Sequence, residues 1–133
     1  MNTTFKVDIY TPIGKYFSGD AEFLSVGTPI AVLGILPDHA PLITTLSISK
    51  LSIKIKSKEF VYAISGGVMN IKKDHSVTLL VNSIERKDEI DVNRAKEAQK
   101  RAEDRLKNTD NIDVKRAEAA LSRALNRLSI SKE

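Results

Sequence analysis

The chain has 133 residues, 41% of them hydrophobic, a formal net charge of +4 and no cysteine. That is room for one domain, or for a small domain with an appendage, and it excludes a disulfide framework and thiol chemistry. His39 and His75, the only histidines, are too few and too scattered for a metal site, and the mild positive charge suits an acidic or phosphate-bearing partner without demanding one.

From its beginning the chain shows no targeting signal. Met1 to Lys6 lacks both the apolar core of a signal peptide and the Arg-rich amphipathic character of a transit peptide. The longest apolar run, Ile30 to Leu36, lies between Pro29 and Pro37. It is far short of the ~20 residues a spanning helix needs. The expectation is a soluble chain that reaches a membrane only through partners.

The first part alternates with period two. Phe5, Val7 and Ile9 face one way, with Lys6, Asp8 and Tyr10 opposite; Leu51, Ile53 and Ile55 repeat the pattern, as do Phe60, Tyr62 and Ile64, and Val77, Leu79 and Val81. Turn signals divide the runs at Thr11-Pro12, Ser18-Gly19-Asp20, Ser57-Lys58-Glu59, Gly66-Gly67 and Lys72-Lys73-Asp74. Short strands at close spacing predict an antiparallel sandwich or flattened barrel. Gly66-Gly67 marks a bulge or tight bend where side chains would clash.

Composition breaks near Ile84–Glu89. Every aromatic lies between Phe5 and Tyr62, the last glycine is Gly67, and every arginine lies at or after Arg86. The predicted boundary divides a sandwich domain, 1–84, from a helical domain, 85–133. Ile90-Asp91-Val92-Asn93-Arg94-Ala95 opens the second part and recurs as Ile112-Asp113-Val114-Lys115-Arg116-Ala117. Each Asp can cap a helix, with Ile before it as an apolar staple. The seam positions are then Val92, Ala95, Ala98, Ala102 and Leu106, and Val114, Ala117, Leu121, Ala124 and Leu128. Two such helices predict an antiparallel hairpin whose alanine seam buries little area and holds marginally.

Enzyme chemistry finds no support in the residues. Gly14 to Gly19 has the spacing of a phosphate-binding loop, but Asp20-Ala21 follows where Lys-Ser/Thr is required. Neither histidine has a partner motif for nucleophilic catalysis, and His39, between Asp38 and Ala40-Pro41, reads as a turn residue. Lys50, Lys54, Lys56 and Lys58 form a basic edge without interleaved aromatics, the usual solvated face of a strand. A basic β-sandwich module binding nucleic acid or another acidic partner is the alternative reading.

Three stretches carry a family resemblance. Gly34-Ile35-Leu36-Pro37-Asp38-His39-Ala40-Pro41-Leu42, then Tyr62-Ala63-Ile64-Ser65-Gly66-Gly67, then Ile-Asp-x-x-Arg-Ala, in this order, resemble the epsilon subunits of bacterial F-type ATP synthases over essentially the whole chain. The chain departs from the family at Asp38, where glycine is usual, and at Val32, where a polar or acidic residue is common.

The resemblance implies a flattened β-sandwich followed by a helical hairpin, the α+β architecture read above from periodicity. It also implies a non-catalytic rotor subunit at the cytoplasmic side of a bacterial membrane, bound there through partners. Those partners would be the gamma subunit and the ring of c subunits, the latter through Val32, Leu33 and His39. With the helices extended, the alpha and beta subunits of the catalytic head would join them, and ATP hydrolysis would be inhibited. No cofactor is implied, but ATP is implied as a regulatory ligand. The family motif for it maps onto Glu85, Ile90, Asp91, Arg94 and Ala95, with Arg123 and Arg127 on the second helix.

Overall fold

The computed structural model describes residues 3–107 and 113–133. They form strands β1 (Phe5–Thr11), β2 (Gly14–Ala21), β3 (Phe23–Gly27), β4 (Val32–Ile35), β5 (Leu42–Ile55), β6 (Lys58–Ile71), β7 (Val77–Val81) and β8 (Ile84–Arg86). A 3₁₀ turn (Lys87–Glu89) and helices α1 (Val92–Lys107) and α2 (Val114–Ser131) follow. The chain divides into two compact units, Met1–Arg86 and Lys87–Glu133.

In the first unit the strand order is β2-β1-β7-β6-β5-β3-β4, with β8 also paired to β6. The sheet does not close: β2 and β4 end its main path, and β8 is paired on one side only. β2 nevertheless returns against β5 without pairing to it, which folds the sheet into two layers. The period-two side chains fill the space between them, except Phe60, which is 39% exposed. Phe5, Val7 and Ile9 are buried, as are Leu51, Ile53 and Tyr62, and Val77, Leu79 and Val81. Each large apolar side chain so buried contributes about 1.5–3 kcal/mol. All strand pairs are antiparallel but one: β1 and β7 run parallel, with Val7 beside Val77 and Ile9 beside Leu79. The parallel pair joins segments some seventy positions apart, a relation no local pattern encodes.

Two of the expected turns are strand interior. Ser18-Gly19-Asp20 lies within β2, paired to Asp8, Val7 and Lys6. An edge strand tolerates such polar and small residues because half of its backbone groups face away from the sheet. Gly66-Gly67 lies within β6, where the partner changes from β7 to β8, and both glycines have positive φ, 99° and 151°. The Asn82 N–H donates to the Gly66 carbonyl at 3.0 Å and the Ser65 N–H to the Ser83 carbonyl at 3.2 Å, carrying the pairing across the bend. A Cβ on Gly67 would collide with the Leu80 carbonyl oxygen and lie 2.8 Å from Val81 Cα. Side chains do clash there, but the feature is a bend with close backbone approach.

In the second unit α1 packs on α2 through small residues, and Ala95, Ala102, Ala117 and Ala124 are buried. The Lys87 ammonium donates to the carbonyl of Glu133, so the start of the unit meets its end and the helices run antiparallel. Val92 and Val114, expected in the seam, are 38% and 40% exposed. They sit in first turns, outside the buried stripe of Ala95, Ala102, Ala117 and Ala124. Ile130 is buried at 1% exposure, beyond the expected end of the stripe at Leu128.

Candidate functional site

Two regions gather the functional residues expected from the sequence. The first is the loop-rich end of the sandwich. Thr28 shapes it: its hydroxyl donates to the Ala31 carbonyl at 2.7 Å and accepts from the Ala31 N–H at 3.1 Å. The resulting tight turn projects Ile30 outward at 96% exposure and, at the start of β4, Val32 at 76%. Leu33 alternates inward and packs partly against the core. Val32 is the more exposed of the pair, and Leu33 is half-buried.

The loop from Leu36 to Pro41 follows. Asp38 takes φ 63°, the left-handed conformation that glycine adopts most freely and Asp tolerates better than most residues. His39 Nδ1 lies 2.7 Å from the Ala40 carbonyl, and His75 Nδ1 lies 2.9 Å from the His39 carbonyl. His75, itself at φ 70°, therefore pins this loop to the β6–β7 turn. In the same turn Asp74 Oδ1 accepts from the Ser76 N–H at 3.0 Å and the Ser76 hydroxyl at 2.6 Å. Those two hydrogen bonds, with Lys72 adding a favourable charge, hold the Asp74 carboxyl below its ordinary range.

The second region is the helical pair. Asp91 Oδ1 accepts from the Arg94 N–H at 3.0 Å, and the Ala95 N–H donates to the Asp91 carbonyl at 3.0 Å. Ala95 is buried and Ile90 half-buried. At the head of α2, Asp113 repeats the arrangement, with Oδ1 accepting from the Arg116 N–H at 3.1 Å. Both aspartates are helix caps, as expected. Arg94 is exposed, while Arg123 and Arg127 on α2 are half-buried. Antiparallel packing sets the last turns of α2 beside the first turns of α1, so Arg94, Arg123 and Arg127 belong to the same end of the hairpin. Glu85 is the exception among the expected ligand residues: it lies on β8 opposite Ala63, in the other unit. Among the described residues, Arg94 and Arg123 make no ion pair. Their guanidiniums are therefore available to an anion, which a guanidinium grips by forked, charge-assisted hydrogen bonds.

Sequence reasoning gave no ligand role to three further arginines, Arg101, Arg105 and Arg116. The signal was present, because the recurrence extends past its first six residues. Arg-Ala at 94–95 and 101–102 and Arg-Leu at 105–106 return 22 positions later as Arg-Ala at 116–117 and 123–124 and Arg-Leu at 127–128.

Comparison with known proteins places this geometry. Residues 4–87 match the family described as ATP synthase, Delta/Epsilon chain, beta-sandwich domain, and residues 88–132 match the corresponding long alpha-helix domain. An ATP synthase epsilon chain from Pelotomaculum thermopropionicum is 49% identical over 103 residues, 77% of this chain and 76% of that one. The epsilon chain of Desulforamulus reducens is 42% identical over 106 residues, 80% of each chain. Among solved structures, a chain of the Euglena gracilis mitochondrial ATP synthase matches with a TM-score of 0.88 at 17% identity, covering 100% of this chain and 84% of its own. A chain of the Tetrahymena thermophila mitochondrial ATP synthase, from its central stalk and c-ring, matches at 0.70 and 18%, covering 96% of each. With both domains matched in order and both of these relatives epsilon chains, the chain belongs to the delta/epsilon family of ATP synthase subunits, on its epsilon side.

Proposed function

We propose that this chain is a non-catalytic rotor subunit of a proton-translocating F-type ATP synthase, held at the cytoplasmic face of a bacterial membrane by its partners. The sandwich binds the gamma subunit and meets the c ring through its loop end. The observation that supports the ring contact is the apolar tip, Ile30 and Val32, held out by the Thr28 turn. Exposed aliphatic side chains clustered at a tip mark a contact surface. No helix of the described chain is long and apolar enough to cross a membrane, which leaves partners to provide the anchorage.

The helical pair acts as a brake on ATP hydrolysis. Its alanine seam buries little area, so the energy separating packed and extended arrangements is small enough for partners and ligands to bias. Extended, the helices reach the alpha and beta subunits of the head; packed, they permit turnover. ATP binds the packed hairpin through Arg94, Arg123 and Arg127 at one end, with Asp91 fixing the start of α1, and so favours release of the brake.

Two measurements test this. A chain ending before Asp88, reconstituted with a catalytic complex lacking this subunit, should still assemble while ATP hydrolysis rises above that seen with the full chain. Equal inhibition by the shortened chain would remove the brake from the helices. Calorimetric titration of the full chain with ATP should give heat that Arg94→Ala and Arg127→Ala reduce strongly. Unchanged heat in both variants would leave these arginines as surface charge.

A further inference from the structure

The chain has seven arginines, and all but Arg86 lie on the two helices in a repeated pattern. On α1 they are Arg94, Arg101 and Arg105; on α2, 22 positions later, Arg116, Arg123 and Arg127. Each immediately precedes a seam position: Ala95, Ala102 and Leu106 on one helix, Ala117, Ala124 and Leu128 on the other. The four alanines and Leu128 are buried. At 3.6 residues per turn, each arginine therefore lies about 100° to the same side of its seam. Spacings of seven and four keep the three of one helix in a single stripe.

An antiparallel pair of equivalent helices is related by a twofold axis normal to the plane that contains them. Such an axis carries a helix face onto the same face of its partner. The two arginine stripes consequently border one groove, on one side of the hairpin. The axis also exchanges the two ends of that groove. Arg94, Arg127 and Arg123 at one end correspond to Arg116, Arg105 and Arg101 at the other. The caps obey the same symmetry, Asp91 to Arg94 at 3.0 Å and Asp113 to Arg116 at 3.1 Å.

We propose that the hairpin carries a second binding site for a polyphosphate anion of the nucleoside triphosphate class, built by Arg101, Arg105 and Arg116 at the opposite end of the same groove. The site rests on the reading of the first end as an ATP site, since it repeats the same residue types at the same spacing, with Arg101 and Arg105 exposed where Arg123 and Arg127 are half-buried. Arg101, Arg105 and Arg116 are exposed and, among the described residues, make no ion pair. The two ends are not equal. Glu97 and Asp104 border the α1 stripe at positions where α2 carries Ala119 and Asn126. These carboxylates lower the local positive potential around Arg101 and Arg105, so the second site is the weaker one.

The test is calorimetric titration of the full chain with ATP, and in parallel with inorganic triphosphate, using helix content by circular dichroism as the control for folding. The wild type should take up two equivalents, the second more weakly. Arg105→Ala with Arg116→Ala should leave only the tighter event, and Arg94→Ala with Arg127→Ala only the weaker. Asp104→Asn, which restores the residue found at the equivalent position of α2, should tighten the second event several-fold. A single event that survives the Arg105 and Arg116 changes and disappears with Arg94 and Arg127 overturns the second site and leaves the proposed ATP site intact. Absence of any heat at millimolar ATP overturns both.

Discussion

The Asp91 carboxylate reaches past its own side chain's neighbour to the backbone, accepting the Arg94 N–H at 3.0 Å. Its charge is thereby spent on the helix end, and the Arg94 guanidinium is left without an ion pair among the described residues. A residue pair that looks like a salt bridge in sequence is instead a cap beside a free cation. The same holds for Asp113 and Arg116.

From that relationship the two caps should be separable from any ligand effect. Asp91→Ala and Asp113→Ala should each destabilise the helical unit by about 1 kcal/mol, the usual worth of an N-cap. Hydrogen exchange should quicken along the helix concerned while amides of β5 and β6 keep their protection. Protection unchanged in the helix would mean that its first turn is held by something other than the cap.

Gly67 should be the least replaceable glycine of the sandwich. At φ 151°, with the Leu80 carbonyl where a Cβ would stand, Gly67→Ala forces apart the bend of β6 and the end of β7. The cost should be on the order of 2–3 kcal/mol, above that of a typical point substitution. Urea unfolding compared with Gly14→Ala, which meets no atom within 4 Å, checks it. Gly14 also has positive φ, so the difference between the two variants isolates the collision from the backbone preference.

Val32→Asp should leave the fold nearly as stable as before, because a side chain 76% exposed changes stability by only about 0.5 kcal/mol when replaced. Proton pumping driven by ATP hydrolysis in reconstituted vesicles should nevertheless fall if the tip meets the c ring. Normal pumping with normal assembly would place the contact elsewhere. Leu33→Asp is the contrasting change, since Leu33 packs on the core and its replacement should unfold the sandwich edge.

Asp74 should make the β6–β7 turn sensitive to acid. Its carboxyl is held low by the hydrogen bonds from Ser76, so the charged form is favoured in the folded chain. Its stabilising contribution is therefore complete above the unfolded-state value of about 3.9 and is lost as pH falls through the lower folded value. Asp74→Asn should unfold more readily than wild type at neutral pH, and the difference between the two midpoints should shrink as pH approaches about 3. A difference independent of pH would assign the effect to the hydrogen-bond geometry alone.

What the amino-acid sequence determined by itself is the part governed by neighbours along the chain. Alternation fixed which face of β1 and β7 is buried, because a strand turns its side chains over every second residue. The two Ile-Asp-Val motifs fixed both helix starts, because a cap needs only residues three apart. The family also lay open in three motifs taken in order. Tertiary structure decided what depends on distant segments. It placed β1 parallel to β7, drew Ser18 to Asp20 into an edge strand, and turned Leu33 inward while leaving Val32 out. It also brought α1 and α2 together through Ala95, Ala102, Ala117 and Ala124, since two separate helices bury a seam only once they pair. Local propensity is fixed by covalent neighbours, but pairing across the fold is chosen by which arrangement buries the most apolar surface, and that is a property of the whole chain.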